Sequence, residues 1–150
     1  MTVSKKETKK RQMTLTKKKL DTDKIYKLLL LFVSLLINVI YGKKQYDKLK
    51  EAYSELRKVI PKEQKGILQK LEDLLKLGKT SNKTDLFKIV LTMITIIDTV
   101  TRIYSKLIIV YKKQEPDILT LKKTVIDDIV RSVSNPLLAI TLQIASSKIN

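Results

Sequence analysis

Apolar residues recur along most of this chain in steps of three and four, the spacing that gathers side chains on one face of an α-helix, rather than in the alternation of a half-buried strand. The first such stretch, residues 25–41, follows Asp21-Thr22-Asp23, whose short acidic side chains suit a helix N-cap, and precedes Gly42, suited to a helix end. No residue from Leu28 to Tyr41 is charged. These 14 positions fall short of the roughly 20 that a bilayer span requires, and counting back to Ile25 gives only 17, with Lys27 among them. The stretch therefore reads as the central helix of a bundle, apolar all round because neighbours surround it, in preference to a membrane anchor. A cleaved secretory signal fits less well, because Val39-Ile40-Tyr41-Gly42 offers no small-x-small site and the basic leader before it is long.

Residues 43–60 carry Tyr46, Leu49, Tyr53, Leu56 and Ile60 as an a/d stripe with lysines and glutamates on the other faces. Pro61 is placed to open a further helix to Leu77, with Ile67, Leu68, Leu71, Leu74 and Leu75 inward and Gly78 as its stop. The longest helix is expected from Thr84 or Asp85 to Lys113. Its apolar spacing excludes a strand, and four charges (Lys88, Asp98, Arg102, Lys106) speak against a membrane span. Asp98 and Arg102 stand at i and i+4, a favourable exposed pair. Glu115-Pro116-Asp117 starts the next helix, Ser134-Asn135-Pro136 ends it, and a last helix follows from Pro136 to about Ser147. That segment has no charge and is either wedged into the core or offered to a partner subunit. The expected fold is all-α, a multi-helix bundle of about five or six helices over residues 25–150, with residues 1–24 as a basic N-terminal arm.

Charge changes this picture most. The chain of 150 residues has 31 basic and 15 acidic side chains, a formal net charge of +16. Residues 1–20 hold eight of the cations (Lys5, Lys6, Lys9, Lys10, Arg11, Lys17, Lys18, Lys19) against Glu7 alone, or +7; the remaining 23 basic and 14 acidic residues leave +9. Solubility alone asks for a net charge of only about 2 to 8 in a small domain, so a polyanionic partner is implied. Lys5, Lys6, Lys9 and Lys10 would form two adjacent rows along a helix, able to follow a phosphate backbone. Nearly all the cations are lysines, which neutralise phosphates without reading base edges, so binding indifferent to sequence is expected.

The chain has no Cys, His or Trp, which removes disulfides, thiolate sites and histidine relays or ligand sets. Its three glycines are isolated, so no phosphate loop or dinucleotide fingerprint exists. Asp127 and Asp128 are neighbours that a helix points about 100° apart, poorly set to share a metal or a proton, and Glu72-Asp73 has the same geometry. No catalytic, metal or cofactor residues are assigned and an enzyme is not expected. Tyrosines among lysines can stack on unpaired bases, but Tyr46, Tyr53, Tyr104 and Tyr111 lie on core stripes; Tyr26 and Tyr41, bracketing the first helix, would form an interfacial belt only if that helix met lipid. The expected function is a structural nucleic-acid-associated protein, a virion or nucleoid component, whose lysine arm binds phosphates of a duplex non-specifically while uncharged helices mediate self-association or contact with other subunits; virion or cytoplasm is the expected setting. Two other readings are a membrane-associated or protein-interaction bundle whose arm lies on anionic lipid, and a subunit of a large ribonucleoprotein.

Overall fold

The computed structural model describes residues 21–41, 44–80, 85–133 and 136–149, with the backbone alone for residues 80, 137, 138 and 149. Six α-helices and no strand occur among them: α1 Thr22–Ile40, α2 Tyr46–Val59, α3 Lys65–Thr80, α4 Leu86–Leu107, α5 Ile118–Ser132 and α6 Pro136–Ile149. Helix α1 begins at Thr22 beneath an Asp21 cap that accepts the Lys24 N–H, so residues 22–24 belong to its first turn. Asp85 and Asp117 cap α4 and α5 in the same way, through the N–H groups of Phe87 and Leu119.

Helices α1 to α4 form an up-and-down bundle. The α1–α2 hairpin brings Phe32 beside Tyr53, with ring centroids 6.3 Å apart. Gly78 near the end of α3 lies against Leu36 of α1 and Leu49 of α2, while Tyr26 of α1 stacks on Tyr104 near the end of α4, which sets α4 antiparallel to α1. Helices α5 and α6 then cover α4 and the remaining side of α1. Leu29, Phe32, Val33, Leu36 and Ile37 of α1 are wholly buried and form the centre of the core. The uncharged run is thus a helix covered by its own chain except along a strip that includes Leu31, and no helix among the described residues is long and apolar enough to cross a membrane.

Three local expectations differ from the structure. Pro61 does not open α3. It forces Ile60 into an extended conformation, as a residue before proline prefers, and a turn closed by the Gln64 N–H on the Pro61 carbonyl precedes the helix at Lys65. Gly78 does not stop α3, which continues to Thr80. Its missing side chain lets α3 approach α1 and α2, since a Cβ there would stand 3.0 Å from the Leu49 and 3.1 Å from the Leu36 methyl carbon. Helix α4 does end at Lys113, but through a π-helical turn, Ile108–Lys112, that finishes with Lys113 in the left-handed region at φ 56°. The last helix buries Leu142 and Ala145 and exposes Ile140 and Ile144, so it is both core and surface.

These contacts give opposite expectations for two substitutions. Lys113→Gly removes the left-handed strain and should raise stability by about 0.5 to 1 kcal/mol, whereas Gly78→Leu overpacks the α1–α2–α3 junction and should lower it by about 1 to 2 kcal/mol. Urea unfolding midpoints check both, and a neutral Gly78→Leu would show that the helices are not held at that separation.

Candidate functional site

The candidate residues Lys5, Lys6, Lys9, Lys10, Arg11, Lys17, Lys18 and Lys19 lie outside the described residues. Their segment joins the bundle at Asp21, at the end where α1 starts and the π-helical turn finishes. There Asp23 pairs with Lys112 across 3.2 Å, tying the start of α1 to the end of that turn.

The charge of the bundle itself is interleaved. Arg102 Nε stands 3.0 Å from Asp98, as their i, i+4 spacing implied, and Lys122 of α5 approaches the same carboxylate at 3.9 Å. Lys58 bonds Glu55 one turn away at 3.3 Å. Exposed pairs of this kind contribute little stability each, up to about 1 kcal/mol. None of the described helices has a cation density in sequence comparable with residues 5–11.

The tyrosines are committed to structure. Lys50 lies over the Tyr46 ring and Arg57 over the Tyr53 ring, 5.7 and 5.8 Å from the centroids, so cations of α2 cover the faces that a base would need. Tyr26 and Tyr41 form no belt: the Tyr26 hydroxyl donates to Asp128 of α5 at 2.7 Å, and the Tyr41 hydroxyl donates to Thr141 of α6 at 2.8 Å. These two bonds pin the α5–α6 pair to the ends of α1. They could not be read from periodicity, because a tyrosine at a stripe's edge does not disclose its partner a hundred residues away. Asp127 instead lines a shallow cleft of about 230 Å³ beside Lys122, Lys123 and Ser146. The adjacent carboxylates diverge as helix geometry requires, and no group of three or more His, Cys, Asp or Glu is gathered among the described residues.

Burial raises the Tyr26 hydroxyl well above the ordinary phenol range, and the Asp128 carboxylate that accepts its hydrogen bond raises it further. Burial also raises Tyr104, opposed by the Lys112 ammonium and assisted by Asp23 and Asp128. Tyr111 is raised by burial, against a hydrogen bond with Gln64. The exposed Asp117 cap is lowered, chiefly by the 2.7 Å hydrogen bond from the Thr120 hydroxyl. Comparison with protein-family models, curated proteins and solved structures finds no match for this chain.

A phenol whose folded pKa exceeds its unfolded value of about 10 contributes stability that is fully present below that pH and lost as pH rises toward the folded pKa. Thermal stability should accordingly fall as pH rises beyond about 10. Tyr26→Phe should cost about 1 to 2 kcal/mol at neutral pH and flatten the alkaline fall. Melting curves of both proteins from neutral to alkaline pH test this, and identical slopes would contradict the Tyr26–Asp128 assignment.

Proposed function

We propose that this chain is a structural nucleic-acid-associated protein, in which the lysine-rich segment of residues 1–20 neutralises the phosphate backbone without reading sequence and the helical bundle serves as its scaffold. The observation that carries the reading is the division of charge. Eight cations against one anion stand in residues 1–20, while the rest of the chain intersperses its 23 cations with 14 anions. A polyanion gains most where cations are dense and uncompensated, because each phosphate contact releases a condensed counterion. The bundle supports the same division, since the carboxylates of Glu55, Asp98 and Asp23 already engage lysines or arginines of neighbouring turns and helices. Tyrosines that pack inward or lie under their own helix's cations are not free to stack on bases, which agrees with backbone binding.

The scaffold's outer apolar positions, Ile140 and Ile144 on α6, lie in a run without charge from Ser132 to Ser147. Two strongly cationic copies would approach with least repulsion across such a surface. Self-association through α6 is part of the proposal on that ground.

Binding of the intact protein to duplex DNA should fall with salt at a slope of roughly −7 in log K against log salt, the value for eight phosphate contacts. Changing Lys5, Lys6, Lys9 and Lys10 together to Gln should roughly halve that slope, with equal effect on unrelated duplex sequences. Fluorescence anisotropy over a salt series measures it; a slope near zero, or one untouched by the four substitutions, would refute the reading.

A further inference from the structure

The start of α4 is the most water-exposed apolar feature of the described surface. Phe87 is 68% exposed and Leu86 57%, and Leu91, one turn beyond Phe87, is 46% exposed. Large apolar side chains at such exposure lose the stabilisation that burial would give them, and three grouped together mark an interaction surface rather than scattered surface residues. Their position in the fold is defined. Helix α4 runs antiparallel to α1, so its first turns stand at the end of the bundle where α1 finishes, α2 begins and α3 ends. Four exposed lysines belong to these same termini: Lys44 and Lys48 at the start of α2, Lys79 in the last turn of α3 and Lys88 beside Phe87. The acids at the same termini are Asp47 and Asp85, and the Asp85 carboxylate is engaged by the Phe87 N–H at 2.9 Å.

We propose that this end of the bundle docks on an anionic lipid surface, with Leu86, Phe87 and Leu91 entering the boundary between headgroups and acyl chains and the lysines of the same helix termini lying among the headgroups. A short apolar projection at a lysine-bearing end of a protein of net charge +16 is the complement of such a surface, which offers negative charge in a plane and an apolar phase just beneath it. A second copy of the chain would present the same lysines to this end, and like charges within a Debye length of about 8 to 10 Å repel. A nucleic acid duplex would accept the lysines but has no apolar phase to receive two leucines and a phenylalanine. The docking end is opposite the one at which residues 1–20 join the bundle, so the proposal adds to the nucleic-acid reading and does not depend on it.

The chain has no Trp, so the full-length Phe87→Trp protein reports on this position alone. Its emission should shift to the blue on mixing with vesicles of phosphatidylcholine and phosphatidylglycerol in equal parts, and stay unchanged with phosphatidylcholine alone. In co-sedimentation with the mixed vesicles, full-length protein carrying Leu86→Ser and Phe87→Ser should partition about tenfold to a hundredfold more weakly than wild type, while its binding to duplex DNA is unaltered. Both substitutions fall on exposed side chains, and an unchanged melting temperature verifies folding. The proposal is overturned if wild type ignores the mixed vesicles, if it binds them with no shift in the Phe87→Trp emission, or if the double variant binds them as wild type does. It is equally overturned if the double substitution abolishes only a concentration-dependent self-association, which would assign the patch to a second copy.

Discussion

The rest of this structure follows from the need to keep the middle of α1 away from water. A helix apolar around most of its circumference cannot be covered by one neighbour, and here α2, α3, α4 and α5 each pack against it. The arrangement leaves only a narrow strip containing Lys24, Lys27 and Leu31 open to solvent. The close approach at Gly78, the stack of Tyr26 on Tyr104 and the inward turn of the Tyr26 and Tyr41 hydroxyls are all ways of closing that cover. Two of the polar groups drawn in with them find partners. The buried Thr101 hydroxyl donates to the Ile97 carbonyl, and the nearly buried Thr141 hydroxyl receives the bond from Tyr41.

Covering α1 also determines where charge can go. Every described ion pair lies toward the surface, outside the core that covers α1. The concentrated charge lies before Asp21, in a segment whose composition could not supply a core of its own. Under the proposed function the protein separates two tasks that interfere with each other, since dense positive charge destabilises a compact fold and an apolar core cannot attract a polyanion.

The helices were legible in the sequence because burial in a bundle imposes a period near 3.6, and the acidic caps at Asp21, Asp85 and Asp117 marked three starts correctly. Punctuation by Gly and Pro was less dependable. Gly78 looks like a stop when read locally, but a glycine inside a helix can equally mark where two other helices come close, and only the packing of Leu36 and Leu49 distinguishes the cases. Pro61 was ambiguous too: it holds the buried Ile60 extended, and a turn is needed before the chain can resume as a helix. The π-helical turn left no signal in the period. For function, the density of lysines before Asp21 was evident from the residues alone, whereas the exposed cluster at Leu86, Phe87 and Leu91 was not, because Leu86 fits the apolar stripe of α4 and nothing in the sequence says which side of that stripe the bundle covers.

The claim that α1 is the enclosed centre of the fold is tested most directly by native-state amide hydrogen exchange. Amides from Leu29 to Ile37 should be the slowest in the protein and open only with global unfolding, while those of α6 and of the turn after Leu107 should exchange earlier through local opening. Protection of α1 weaker than that of α3 or α6 would contradict the account, because a helix that opens first cannot be the one on which the others are assembled.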